Sequence, residues 1–351
     1  MYKYRPLTVL PCMCGLYSKL LNARLTEVVE KHKILGEVQN GFRRNRSDID
    51  STFVLNTILW KTMAKKKKVN LAFLDIEKAY DSVRRDILWK KMASMGFGGQ
   101  FLSSIKSLYD GDHVTCDANG ATTNPLYLGR GLRQGCSLSP MLFALYVRDM
   151  SNELHNSRLG VLLHKKFISC LFFADDIALI ARDADGLRLL LNIVQKHCKD
   201  MDLKLSIKKS KVMSTTQDLW ELFDGDTVIG TLDKVLTYKY LGVELKLNPR
   251  KSAKVMMEKA RSSALSYKKA CISLDYDGPD YVDMTLCLWL NVAMPSILFG
   301  CEVVPFSQAI IDDIDRFQSA LGKFTLACLP VPPTSLPRLF LASQPSRSSC
   351  T

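Results

Sequence analysis

The chain has 351 residues, 47% of them hydrophobic, which is enough to bury a sizeable core and excludes a disordered protein. Lysine and arginine total 48 against 35 acidic residues, giving a formal charge of +13 and a pI near 9.2, an excess that fits a polyanionic partner. Nothing among the 11 cysteines is spaced like zinc ligands, and they are read as reduced core thiols of an intracellular protein.

In chain order, Met1 to Pro6 lacks the apolar core of a signal peptide. Leu16, Leu20, Leu21, Leu25, Val28 and Val29 recur at helical spacing and predict an amphipathic helix leading to Gly36. Gln39-Asn40-Gly41-Phe42-Arg43-Arg44-Asn45-Arg46-Ser47 then sets arginines in a short loop, either an ordinary exposed basic loop or one whose guanidinium forks grip phosphate. Asp50 to Met63 is a second apolar-periodic helix. The Lys65 to Lys68 run that follows is a solvated turn or a contact for a nucleic-acid backbone.

Leu71-Ala72-Phe73-Leu74-Asp75 reads as a buried strand ending in a carboxylate. Ser82 is expected to cap a helix carrying Val83, Ile87, Leu88, Met92 and Met95, with Gly96 and Gly98 ending it. Asp81 is read as a cap or surface group. Phe101 to Tyr109 follows as a helix, and Asp110 to Pro125 as a turn-rich hairpin region. Gly131-Leu132-Arg133-Gln134-Gly135-Cys136-Ser137-Leu138-Ser139-Pro140 opens another helix. Ser139 is its expected N-cap, Pro140 its first position, and it runs through Met150.

Two apolar, β-rich runs, Phe167 to Phe173 and Ile177 to Ala181, flank Asp175-Asp176. A tight link between them makes a hairpin with both carboxylates at its tip. Like charges pressed together need a counter-charge, and the simplest is a metal ion bound by oxygen ligands, with Asp75 as the third carboxylate. Ala184 to Met201 has the spacing of a helix packed on a sheet, followed by Leu203 to Met213 with Lys208 and Lys209. Tyr238 to Val243 precedes a basic helix from Lys251 to Ile272. Met284 to Cys301 is the most apolar long stretch, but Asn291 and Pro295 interrupt it. It is read as a buried helix pair rather than a membrane span. Ile311 to Leu326 suggests a last helix, and the Pro/Ser-rich sequence from Pro330 a disordered tail.

The stretches around Asp75, around Gln134 and around Asp175-Asp176 resemble, in order and spacing, motifs A, B and C of the reverse transcriptases. Their wording is closest to the non-LTR (LINE-type) retrotransposon branch. The resemblance implies an α+β fold of the right-hand polymerase type. Fingers and palm would span residues 1–246, a helical thumb-like region 247–329 and a tail 330–351. It implies RNA-directed DNA polymerase activity, with two Mg²⁺ ions (Mn²⁺ as the alternative) bound by Asp75, Asp175 and Asp176 and by the Ile76 carbonyl. Tyr80 would lie under the sugar of the incoming nucleotide and reject a 2′-hydroxyl. Gln134 and Gly135 would sit beside template base and nucleotide, Arg43 and Arg44 would belong to the basic fingers motif, and Lys209 would lie near the leaving pyrophosphate. Asp202 and Ser206 depart from the family's usual glycine and asparagine around that lysine. Tyr238 to Val243 resembles the hairpin that holds the primer end.

The implied partners are an RNA template, a DNA primer or target and dNTPs, with no membrane, in nucleus and cytoplasm. The chain starts almost at the beginning of the resemblance and shows no endonuclease region, so it is read as a fragment able to copy but not to nick a target. The alternative is an inactive retrotransposon-derived remnant that binds RNA or RNA-DNA hybrid. A maturase-like splicing cofactor would need a maturase region after the thumb.

Overall fold

A computed structural model describes residues 8–118, 121–214, 220–224, 227–273, 281–304, 308–309, 311–313, 315–316 and 319. The chain divides into two compact units after Leu241.

The first unit is built on a five-stranded sheet. In chain order its strands are β1 (Asn70–Asp75), β2 (Cys170–Phe173), β3 (Asp176–Ala181), β4 (Lys211–Met213) and β5 (Asp233–Lys234), and their spatial order is β5-β4-β1-β3-β2. β1 is central and antiparallel to both neighbours, while β4 and β5 run parallel. Its residues from Asn70 to Leu74 are all buried, which explains the absence of a polar alternation in its sequence. Aliphatic and aromatic residues with little helical periodicity suit such a strand, because both faces of the pleat must be covered.

The helix Ala184–Asp200 packs on β1 and β3 through Leu187, Leu190, Leu191 and Val194, and the Asp183 side chain caps it by accepting from the Gly186 N–H. The helix Asp48–Ala64 packs against β2. It starts with a capping box in which Ser47 and Asp50 satisfy each other's backbone N–H groups. Cys12–Lys31 forms the predicted first helix, burying Leu21, Leu25 and Val29.

Several boundaries differ from the sequence expectation. The helix after Gly131–Pro140 is two helices, Ser139–Tyr146 and Arg148–Asn156, parted at Val147. Ser139 lies inside the first of them, and its hydroxyl donates to the Arg133 carbonyl instead of capping. Ser82 ends a short helical turn, Ala79–Ser82, and donates to the Glu77 carbonyl, while the longer helix begins at Arg85. Phe167 to Phe173 divides at Ser169, because Lys166–Ile168 pairs with Val161–Leu163 whereas β2 pairs with β3. Of the cysteines, Cys136, Cys170, Cys198 and Cys271 are buried thiols as expected, but Cys12, Cys116 and Cys287 are exposed.

The second unit contains a strand, Val243–Lys246, and the helix Arg250–Ser273, then Tyr281–Leu288, a π-helical turn Trp289–Ala293 and Met294–Leu298. Ala264, Tyr267, Cys271 and Ala293 form its small core, with Trp289 edge-on to Tyr267 at 5.3 Å. The expected buried helix pair is one helical run. The π turn ends two residues before Pro295, which lacks the N–H for an intrahelical bond and sits in the first turn of Met294–Leu298. Leu290, Val292 and Leu298 on this run are exposed rather than buried. No helix among the described residues is long and apolar enough to cross a membrane. Ile311 to Leu326 lies only partly within the described residues, and the stretch from Pro330 lies outside them.

One contact in the first unit fixes the edge of the sheet. The Phe172 N–H donates to the Val38 carbonyl at 2.8 Å, and the Asn40 N–H donates to the Phe172 carbonyl at 2.9 Å. The loop therefore pairs with β2, and Gly41 comes to rest on the turn that follows. A β-carbon at Gly41 would lie 2.4 Å from the Ala174 nitrogen. Gly41→Ala is expected to cost about 1–3 kcal/mol of stability in urea unfolding, because backbone must move. Gly15→Ala, where nothing lies within 4 Å of the added carbon on a helix, should leave the midpoint unchanged or raise it.

Candidate active site

Asp75 is the last residue of β1, and Asp176 is the first of β3; the two are direct cross-strand partners. β2 and β3 are joined by Ala174 and Asp175 alone, so Asp175 lies in the hairpin turn while Asp176, expected there too, is the first paired residue of β3. Ala174 holds φ at 57°, a left-handed conformation that costs a residue with a β-carbon roughly 1–2 kcal/mol. The neighbouring loop supports it: Gly41 touches the Ala174 backbone, and the Phe42 and Phe173 rings lie 6.2 Å apart.

On the other flank of β1, the turn before β4 is tied to the same aspartate. The Ser206 N–H donates to the Asp75 carbonyl at 2.8 Å, and the Asp75 N–H donates to the Ser210 hydroxyl at 3.1 Å. Lys209 lies between these anchors, and its Nζ reaches the Asp75 carboxylate oxygens at 3.1 and 3.3 Å. Ile76 is buried and bridges to Leu205. Asp75, Asp175 and Asp176 have the hard oxygen donors that a divalent cation prefers. As placed, no group of three or more His, Cys, Asp or Glu side chains among the described residues is gathered closely enough to hold an ion. One of the carboxylates, Asp75, meets an ammonium instead.

Aromatic groups surround the carboxylates. Tyr80 stacks on Phe143 with ring centroids 5.3 Å apart. Its hydroxyl pKa is pushed up to about 12, first by burial and then by the Asp175 charge. Tyr238 stacks on Phe73 at 4.1 Å, almost parallel, and burial followed by Asp176 and Asp75 raises its pKa. Tyr240 is buried beside it and is raised for the same reasons, burial first and then Asp176. Sequence reading placed Tyr238 and Tyr240 in a hairpin but did not bring them to the carboxylates. Their alternation around Lys239 is the signal that puts both on one face of a strand.

The loop from Gly131 to Gly135 is laid along the segment after β1. Leu132 donates its N–H to the Tyr80 carbonyl, Gly131 to that of Val83, and the Gln134 amide to the Asp81 carboxylate at 3.3 Å. Asp81 is thus a positioning group for Gln134 rather than a cap. Gly135 has φ of 102°, is exposed, and has the Thr8 carbonyl 3.0 Å from where a β-carbon would be.

A buried ion network that sequence reading missed holds this loop. Arg85 donates to the Gly131, Leu128 and Tyr109 carbonyls and to Asp112. Arg133 approaches Asp112 from the other side, with its closest contact at 2.7 Å, and both guanidinium groups lie over the Tyr109 ring. Asp112 and Arg85 are buried and Arg133 nearly so. No local pattern reveals the network, because its members are separated in sequence and each looks like a surface charge.

The basic loop departs from the phosphate-gripping expectation at Arg43. That side chain is turned inward, 5% exposed, and its fork is spent on Glu30 and on the Gly36 and Gln39 carbonyls. Glu30 is correspondingly held below the usual carboxylate range by its hydrogen bonds to Arg43. Arg46 is likewise occupied, by Glu37 and Asn40. Arg44 is exposed.

Residues 1–245 match the family model described as reverse transcriptase (RNA-dependent DNA polymerase). The chain is 26% identical over 249 residues to the RNA-directed DNA polymerase from mobile element jockey of Drosophila funebris, an alignment covering 69% of this chain and 26% of the relative. It is 24% identical over 249 residues to the Pol polyprotein from the type-2 retrotransposable element R2DM of Drosophila melanogaster, covering 68% and 23%. A solved apo telomerase from Candida tropicalis overlaps 89% of this chain and 53% of its own, with 12% identity and a TM-score of 0.48. The chain spans about a quarter of the length of the curated relatives it matches.

Asp112→Ala would leave Arg85 and Arg133 buried without their shared counter-charge. A loss of roughly 3–5 kcal/mol in equilibrium unfolding is expected. A loss under about 1 kcal/mol would show that the two arginines are satisfied by their carbonyl and ring contacts alone.

Proposed function

This chain belongs to the reverse transcriptase family, and on that premise we propose that it is the RNA-directed DNA polymerase region of a non-LTR retrotransposon, extending a DNA primer on an RNA template with dNTPs. The observation that carries this reading is the cross-strand pairing of Asp75 with Asp176, with Asp175 in the adjoining two-residue turn. Two Mg²⁺ ions held by Asp75, Asp175 and Asp176, with Mn²⁺ as a substitute, would supply Lewis acidity toward the primer 3′-hydroxyl and charge neutralisation for the triphosphate.

The chain's own groups orient the reactants. Tyr80, backed by Phe143 and held neutral, offers a flat apolar floor to a deoxyribose and a steric bar to a 2′-hydroxyl. Gln134, held by Asp81, and the exposed Gly135 offer an amide and an open backbone to the templating base pair. The Lys209 ammonium is the nearby cation for phosphate oxygens, and Arg44 is an exposed cation for a nucleic-acid backbone. The relatives named for mobile elements support a retrotransposon origin, which in turn suggests action in nucleus and cytoplasm.

Purified protein is expected to extend a DNA primer on an RNA template with dNTPs and Mg²⁺, and Asp175→Asn/Asp176→Asn to lower the rate by about a hundredfold or more. Folded protein that binds the hybrid but does not extend it would leave an RNA-binding remnant instead. In the same assay, Tyr80→Ala should admit ribonucleotides that the unaltered protein rejects. Unchanged discrimination would remove Tyr80 from the sugar site.

A further inference from the structure

The contact between Lys209 and Asp75 is unusual in its placement rather than in its strength. Lys209 is 63% exposed on its side chain, so the ion pair adds at most about 1 kcal/mol to the fold. The backbone that carries it is nonetheless tied to the end of β1. The turn from Ser206 to Ser210 closes on itself, with the Ser210 and Lys209 N–H groups both donating to the Ser206 carbonyl. The same turn is pinned at each end to the backbone of Asp75, the residue whose carboxylate the lysine meets. The backbone of Lys209 therefore stays beside Asp75 while β1 and β4 are paired, and the ammonium reaches the carboxylate over the length of its own side chain. The ammonium meets the end of β1, where Asp176 lies directly across from Asp75 and Asp175 precedes Asp176 in the turn.

Resting on the polymerase reading, we propose that Lys209 is the resident counter-ion of the acidic site, occupying Asp75 until a divalent cation and the nucleotide's triphosphate arrive together. A cation approaching the nucleotide-free site must displace the ammonium from Asp75 and then remain near a like charge. Both effects weaken its binding. The triphosphate removes both obstacles, because its oxygens give the long, exposed lysine side chain an alternative anion within its reach. Metal loading and nucleotide binding are therefore coupled through Lys209.

The test is Mn²⁺ binding to the full nucleotide-free chain, followed by the electron paramagnetic resonance signal of free Mn²⁺. Lys209→Met is expected to tighten the Mn²⁺ dissociation constant by about tenfold, and Lys209→Arg, which keeps the charge, to leave it nearly unchanged. Adding Asp75→Asn to Lys209→Met should abolish the gain. Because Lys209 is exposed, the thermal midpoint of Lys209→Met should stay within a few degrees of the unaltered protein. An unchanged dissociation constant in Lys209→Met, a gain that survives in the double variant, or no detectable Mn²⁺ binding by Lys209→Met would overturn the proposal. No primer extension is read in this experiment. A chain that fails to copy RNA could still show the shift, and a working polymerase could still lack it.

Discussion

The register between β1 and β3 is the constraint on which the rest depends. Six consecutive residue pairs run from Asn70–Ala181 to Asp75–Asp176, and the last pair sets one carboxylate against another. A slip of one residue would send every side chain of β1 to the opposite face of the pleat, parting Asp75 from Asp176 and turning Leu71, Phe73 and their neighbours out of their packing. Burial of those apolar side chains is therefore what holds two like charges together.

Two supports lock that register from outside the sheet. On one edge the loop Val38–Gly41 hydrogen-bonds along β2 and rests on the hairpin turn. On the other flank of β1, the Ser206–Ser210 turn bonds the backbone of Asp75 on both sides. Polar groups removed from water hold the first of these supports and, beside the site, the loop that carries Gln134. Arg43 is spent on Glu30 and nearby carbonyls, and the Arg85–Asp112–Arg133 network secures the loop that carries Gln134. Buried charge is costly unless fully partnered, and here every guanidinium has several acceptors. In a basic chain some arginines thus serve the architecture, and counting them overstates the surface available to a polyanion.

The electrostatics of the site follow from the same crowding. Tyr80, Tyr238 and Tyr240 are all made harder to ionise by burial and then by a nearby aspartate, so the carboxylates sit among neutral hydroxyl-bearing rings. In such surroundings a cation close to the acidic pair has more effect than it would in open water. Lys209 brings one to Asp75 from a turn bonded to the end of β1.

The strand ending in Asp75, a tight hairpin carrying Asp175 and Asp176, the helix over the sheet and the identity of the acidic residues were legible in the sequence, because each is written in local spacing. The second hairpin strand starts one residue earlier than expected, at Asp176. Apolar runs too short for helices predict buried strands, and an acidic pair between two such runs predicts a charged tip. Cap positions were misread by a residue or more where a serine hydroxyl found a nearer carbonyl, as at Ser82 and Ser139. Only the tertiary structure decided which charges face inward. Arg43 and Arg44 are adjacent in sequence and identical in chemistry, yet one is buried on Glu30 and the other is exposed. The reason is physical: local sequence fixes periodicity and hence which face of an element is apolar, but a charge's role depends on the partner that folding brings to it. For Asp112, Lys209 and Arg43 those partners lie elsewhere in the chain.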